Sequence, residues 1–451
     1  MKPPDLPSAR KAHASPWSFV PCTEFLAGLL RDYASAFPSL IFKTLGASNA
    51  VVGFTYFLTL PLGFNVLWAP VVERWGTHRN NFLRSLLAVT IWSALLGGAF
   101  FLPMKGLMPL ALMFLGAAFI ISVINMAYLG YKVSALSNRE LELFTGVGNA
   151  FYRMGALAGT TLMVYIVGIL VDRTGNYRSA WGIVLFGGSL FMGGIWLYLR
   201  ASLPWPTSDT GTTSKLTFAV YARSFTDFIR QPRGWFIALF LLLAPFSEGL
   251  LSGMKTPFYL DPPADGGLGM DLKALGVMAP VSTTIMILSG IVGGFIVRKF
   301  GLRRCLFPMT LLIVAPSIAI ALLPVFQEYA MISFRFTPFG GAEVAVYPWV
   351  WAANFTEISG YGLGFAAYLT FTAFLIKTGG HNKATFAALV GALTLVGYTA
   401  GGGISGIIQE AVGYFWTFTL SVVVGLPAWL LIPFIPLREI IQRAEQADHE
   451  G

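Results

Sequence analysis

Charge is scarce in this sequence. Asp, Glu, Lys and Arg make up 11% of the 451 residues, where a soluble domain carries about 25%. With 55% of the residues hydrophobic and a mean hydropathy of +0.68, the chain has too little polar surface to coat a water-soluble globule. Cysteine is nearly absent: Cys22 and Cys305 lie in or beside apolar segments, which excludes a disulfide framework and thiolate metal-ligand spacing. Four scattered histidines supply no metal motif. No nucleophile–base pair emerges, so neither an enzyme nor a cofactor or metal site is expected. The net charge of +9 would suggest nucleic acid as a partner of a soluble protein, but here the placement of the charges explains it, and no nucleic-acid partner is expected.

What the chain does have is long apolar runs. A bilayer-spanning helix needs roughly 20 mostly apolar residues. Twelve such stretches are legible, near 17–42, 51–72, 82–102, 108–131, 144–171, 180–199, 235–259, 274–297, 305–325, 348–376, 386–409 and 415–437. Continuous runs of this length predict helices rather than the ten-residue alternating strands of a barrel. The expected organisation is a polar, proline-rich N-tail (1–16), a six-helix bundle (17–200), a linker with Pro204, Pro206 and several basic residues (201–233), a second six-helix bundle (234–437) and a C-tail (438–451). An amphipathic surface helix is expected near 216–229. The N-tail lacks the pattern of a cleaved signal, so the first stretch reads as an uncleaved span. Of the 30 Lys and Arg residues, 21 fall in the tails and even-numbered loops, six in the odd-numbered loops and three inside helices. By the positive-inside rule both termini are cytoplasmic, in a cell inner membrane.

The two halves echo each other. After the second stretch the chain reads Ala69-Pro70-Val71-Val72-Glu73-Arg74-Trp75-Gly76-Thr77-His78-Arg79; after the eighth it reads Gly294-Phe295-Ile296-Val297-Arg298-Lys299-Phe300-Gly301-Leu302-Arg303-Arg304. Gly168-x-x-x-Asp172-x-x-Gly175 matches Gly406-x-x-x-Glu410-x-x-Gly413, and Glu24 with Arg31 matches Glu248 with Lys255. Both members of the last pair shift by 224 residues, which implies a parallel duplication. The basic loops resemble the signature of the major facilitator superfamily, and the resemblance implies a twelve-helix, all-α membrane fold of two pseudo-symmetric six-helix bundles. An acid at a helix end accepts hydrogen bonds from the positive N-terminus of a neighbour, while the basic residues pair with it or with anionic lipid. Glu73, Arg74, Gly76, Arg79, Gly294, Arg298, Lys299, Gly301, Arg303, Arg304, Asp172 and Glu410 are therefore candidate gating residues. Arg298 stands where the signature has its acid, so the second loop is not expected to latch like the first. A purely topogenic role remains the alternative for both.

Ionisable groups inside spans cost roughly 2.5–3.5 kcal/mol each on insertion scales. Glu24, Arg31 and Asp32 lie in the first stretch, Arg153 in the fifth, Glu248 and Lys255 in the seventh, and Glu357 in the tenth. An i to i+7 pair lies about 10 Å apart along a helix, too far for a direct ion pair, so each member must find a partner elsewhere. The fold implied by the resemblance has helices 1, 4, 7 and 10 lining its central cavity. The carboxylates would handle a proton or a cationic group, and Arg31, Arg153 and Lys255 a substrate anion. Internal ion pairing for folding is the alternative; for Lys255, snorkelling to the surface is another.

Glu357-x-x-x-x-Gly362-x-Gly364-x-Ala366-Ala367-Tyr368, followed by Lys383-Ala384-Thr385-Phe386-Ala387-Ala388-Leu389-Val390-Gly391-Ala392-Leu393, is similar to the AmpG-type muropeptide permeases. Leu67-Trp68-Ala69-Pro70 and Tyr152-Arg153-Met154-Gly155 resemble the same family. One departure stands out. The family's Q-D-x-x-x-D-A-Y reads Ile124-Asn125-Met126-Ala127-Tyr128-Leu129-Gly130-Tyr131 here, so both acids are gone. Asn125 and Tyr152 complete the candidate pathway. The resemblance implies a proton-coupled secondary transporter importing a polar solute such as a muropeptide. Uptake of a siderophore or other amphipathic metabolite, and a non-transporting receptor or assembly factor, remain alternatives. The expected partners are a small-molecule substrate, protons and the lipid bilayer, with a monomer as the expected state.

Overall fold

Hydrocarbon offers no hydrogen-bond partner to an exposed peptide group, so a chain this apolar folds into helices that satisfy their own backbones. The structure, a computed structural model, describes residues 15–64, 76–103, 106–205, 226, 228–229, 233–337, 343–378 and 383–449. Among them nine helices are long and apolar enough to cross a membrane. One of the nine is two spans joined end to end, because Gly413 (φ 81°, ψ 173°) breaks it between the eleventh and twelfth expected stretches. The all-α membrane class read from the sequence is the one observed.

The helices are α1 (Val20–Ala34), α2 (Ala36–Thr44), α3 (Asn49–Phe54), α4 (His78–Ala99), α5 (Met108–Ala135), α6 (Asn138–Leu157) and α7 (Val164–Thr174). They continue with α8 (Tyr177–Ser202), α9 (Gly234–Leu260), α10 (Leu272–Phe300), α11 (Leu302–Val314), α12 (Pro348–Lys377), α13 (Lys383–Leu431) and α14 (Leu437–His449). Four expected spans are interrupted: the fifth by the π-helical turn Ala158–Met163, and the other three at a proline. Pro38 removes a donor and crowds the carbonyl of Ala34, where α1 ends. Pro61 does the same after the 3-10 turn Thr55–Thr59, and Pro316 sits in the turn Ala315–Ser317 that follows α11. The second stretch beyond Phe64, the loop residues Glu73 and Arg74, and most of the expected helix near 216–229 lie outside the described residues. A short antiparallel hairpin, β1 (Phe334–Phe336) and β2 (Val344–Val346), precedes α12, with Phe334 opposite Val346.

The contacts group the chain into two compact units. The first holds Met1–Ala36, Asn65–Thr160 and Arg178–Leu216; the second holds Phe37–Phe64, Thr161–Tyr177 and Thr217–Gly451. In each, one pair of helices meets through glycine, as helices in lipid do where close van der Waals packing must replace the hydrophobic effect. In the first unit, a Cβ on Gly28 of α1 would stand 1.8 Å from the Tyr152 carbonyl oxygen of α6, and one on Gly155 would stand 1.8 Å from that of Phe25. In the second, Gly249 of α9 and Gly401 of α13 press on the carbonyl oxygens of Tyr398 and Phe246 at 2.0 and 2.1 Å by the same measure. Phe240, Leu306, Phe371 and Leu375 centre one apolar cluster of this unit, and Met254, Phe258 and Phe418 another.

Candidate functional site

The second unit gathers three charges within its membrane helices. Lys255 of α9 lies 2.6 Å from Glu357 of α12, with the Glu357 side chain 2% exposed and that of Lys255 17%. Snorkelling is thereby overturned as the account of Lys255: its ammonium turns inward to a buried carboxylate. Glu248, two turns earlier on α9, interacts electrostatically with both, and its Oε1 accepts a hydrogen bond from Ser252 at 2.7 Å. Tyr259 is buried with a hydroxyl that no described residue partners, and it feels the charges of Lys255 and Glu357. Tyr56, hydrogen-bonded to Tyr398 with ring centroids 5.7 Å apart, lies within electrostatic reach of Glu248. Two carboxylates thus share one lysine, surrounded by tyrosines. The excess negative charge is best neutralised by a proton or a cationic group.

The first unit builds a counterpart around Glu24. The carboxylate, in a residue 9% exposed, accepts from the Tyr128 hydroxyl at 3.0 Å and from Lys132 Nζ at 2.5 Å, while Thr23 donates to Tyr128 at 2.9 Å. Lys132 counts as a loop residue in the sequence; the structure places it in α5. Tyr128 and Lys132 lie one turn apart on the helix from which the family's two acids are missing, and sequence reasoning did not single either out as a site residue. Gly148 of α6 leaves the room that Glu24 fills. Asp32 is also buried, with Oδ2 accepting no hydrogen bond from any described residue. Gly159 faces it from the π-helical turn Ala158–Met163 between α6 and α7. Such turns are rare and recur at functional sites. Arg31 and Asn125 are exposed, and Tyr152 and Arg153 are half-buried.

The Gly-x-x-x-acid echo has one structural meaning in both copies. Gly406 lets α13 approach until a Cβ would stand 1.7 Å from the Asn49 carbonyl oxygen, and Glu410 accepts the Ala50 N–H, at the N-terminus of α3, at 2.8 Å. Gly168 faces Lys273 in the first turn of α10, and Asp172 pairs with that lysine at 2.6 Å. In each copy the glycine brings a helix N-terminus close and the acid engages that terminal turn. Beside Glu410 is a polar network not foreseen from the sequence. Lys43 pairs with Asp261; the Asn49 amide donates to Asp261 (3.1 Å), Gln409 (2.7 Å) and Tyr414 (2.9 Å); and Tyr414 donates to Asp261. Nothing in local spacing signals it, because its members come from three stretches of the chain, 43–49, 261 and 409–414, that lie far apart in sequence.

The basic loops behave differently from one another. Gly76 adopts φ 130°, and Arg79 is buried over the Trp205 ring at 3.9 Å while donating to the carbonyls of Leu203 and Arg200. It thus caps the C-terminal end of α8. In the second loop Arg298 and Lys299 end α10, Gly301 takes φ 79°, and Arg303 and Arg304 are exposed. Gly294 has open space beside it.

The family model of the Major Facilitator Superfamily matches residues 22–376. The chain is similar to a protein named anhydromuropeptide permease from Escherichia coli, 24% identical over 421 residues, spanning 90% of this chain and 78% of that one. It is likewise 22% identical over 429 residues to the putative transporter AmpG 2 of Rickettsia felis, spanning 93% and 95%. Among solved structures, a bacterial homolog of the human lysosomal transporter Spinster in an inward-facing, unoccupied conformation superposes with a TM-score of 0.62 over 98% of both chains at 14% identity. At that identity the likeness concerns the fold alone.

Proposed function

The chain belongs to the Major Facilitator Superfamily and is a multi-pass membrane transporter rather than an enzyme; on that premise we propose that it imports a polar solute of the muropeptide kind by proton-coupled alternating access. The observation that carries this reading is the Lys255–Glu357 ion pair with Glu248 beside it. With two carboxylates near one lysine, Glu357 can take up a proton, or a cationic group of the solute, while Glu248 remains to balance Lys255, so the charge of the site changes without stranding a bare ion in hydrocarbon. The tyrosines around it suit sugar or ring faces. The named function of the Escherichia coli permease supports the solute class. Arg31, Arg153 and Lys255 are the groups assigned to a substrate anion; Glu24 with Tyr128 and Lys132 is the second charge-handling site.

The test is uptake of labelled anhydromuropeptide into proteoliposomes with an imposed inward proton gradient. Accumulation above the equilibrium level, abolished by a protonophore, is expected. Uptake that ignores the gradient removes proton coupling, and failure to take up the solute at all removes the muropeptide assignment.

The proposed orientation places both termini in the cytoplasm. A cysteine at Glu328, in the exposed segment before β1, should be labelled by an impermeant maleimide added to intact cells, and one at Thr210 should not. The reverse pattern inverts the topology.

A further inference from the structure

We propose that the groove where α13 turns into α14 binds the phosphate headgroup of an anionic phospholipid. The groove encloses about 630 Å³ and is lined by Arg233, Arg303, Arg438, Phe307 and Glu439 together with the chain segment 432–437. Three arginines and a single glutamate thus line the groove. Among the described residues none of the three arginines makes an ion pair, and Glu439 lies 4.0 Å from a different arginine, Arg443. Arg233 donates to the Phe434 carbonyl at 3.4 Å. It is also the N-cap of α9, so the positive end of a 27-residue helix opens on the same side. A planar guanidinium matches a phosphate in bidentate geometry, and three converging on one groove match a phosphate ester better than any neutral ligand.

The second-loop sequence explains why these charges are available. Arg303 belongs to the loop in which Arg298 stands where the signature has its acid, so the basic residues there have no carboxylate of their own to engage. The surroundings favour a lipid over a soluble anion. Trp429 packs against Phe307 with ring centroids 4.5 Å apart and planes tilted by 33°, and it donates to the Phe307 carbonyl at 3.0 Å. Trp235, Leu430 and Phe434 stand exposed at this same end of the unit, a surface suited to acyl chains. Tryptophans and phenylalanines mark the level where hydrocarbon gives way to headgroups. α14 keeps Ile440 and Ala444 buried, as an amphipathic helix lying along the interface does. This site is independent of the solute and of the coupling ion.

The test uses the full chain purified in a neutral detergent. Thermal unfolding and native mass spectrometry are read with phosphatidylglycerol, cardiolipin, phosphatidylcholine and inorganic phosphate. The anionic lipids should bind and protect, phosphatidylcholine should not, and the protection should fade as salt rises from millimolar to molar. Arg303→Gln with Arg438→Gln should weaken anionic-lipid binding about tenfold or more while leaving the unfolding midpoint in phosphatidylcholine unchanged. Equal protection by inorganic phosphate overturns the lipid assignment. Undiminished lipid binding by the double variant overturns the site. The salt series on the unmodified protein decides the matter if the variant does not fold, because salt-independent protection excludes an arginine–phosphate contact.

Discussion

Replacing Lys255 with methionine is expected to destabilise the protein by about 3–5 kcal/mol, because it strands the 2%-exposed Glu357 as an uncompensated buried charge. Adding Glu357→Gln in the same chain should restore part of that stability, since it removes the stranded charge at Glu357 and leaves Glu248, with its hydrogen bond from Ser252, as the remaining carboxylate. The restored protein should still fail to accumulate solute uphill, because the charge that trades places with a proton is gone. Glu357→Gln alone should behave differently again: downhill exchange persists, and accumulation driven by the proton gradient falls to the equilibrium level. Unfolding midpoints in detergent and gradient-driven uptake in proteoliposomes separate these outcomes. If the double variant is no more stable than Lys255→Met, the ion pair is not what holds the two helices. If Glu357→Gln still concentrates the solute, the proton is carried elsewhere, and Glu248, Glu24 and Asp32 are next in order.

The second large effect is expected at Gly406. A single methyl there would stand 1.7 Å from the Asn49 carbonyl oxygen, and backbone cannot yield as a side-chain tip can. Gly406→Ala therefore has to push α3 away from α13, at a cost of about 1–3 kcal/mol or more. The shift breaks the bond from the Ala50 N–H to Glu410 and disturbs the Asn49 amide, which serves three acceptors at once. Transport should fall about tenfold or more with membrane insertion intact. Glu410→Gln keeps the acceptor oxygen and loses only its charge next to a helix N-terminus, so it should weaken the same contact by no more than about 1–2 kcal/mol. If Glu410→Gln proves the more severe of the two, charge rather than close approach is what closes this contact.

The echo between Gly168–Asp172 and Gly406–Glu410 is the point where sequence and structure inform each other most. The spacing is visible in one dimension, and in the structure each copy sets an acid beside the first turn of another helix. Its partners are not visible. Glu410 meets Ala50, 360 residues away, and Asp172 meets Lys273, 101 residues away. The sequence assigns Asp172 and Glu410 to gating alongside the basic loops. The structure sets both beside the first turn of another helix, Glu410 through the Ala50 N–H and Asp172 through the Lys273 ammonium, while Arg79 instead holds the end of α8 and Glu73 lies outside the described residues.

The sequence by itself determined the helical membrane class, the presence of long apolar runs and the resemblance that the family match bears out. These follow from local quantities: the run length needed to cross hydrocarbon and the order of residues in a motif. Only the tertiary structure decided which charges pair. Lys132 joins Glu24, Lys255 joins Glu357, and Lys43 joins Asp261 across distances of 102 to 218 residues in the chain. The cost of a bare ion in the membrane forces every such group to find some partner, and the sequence shows that necessity. Which partner it finds depends on which helix faces turn toward each other, and no spacing along a single helix carries that information.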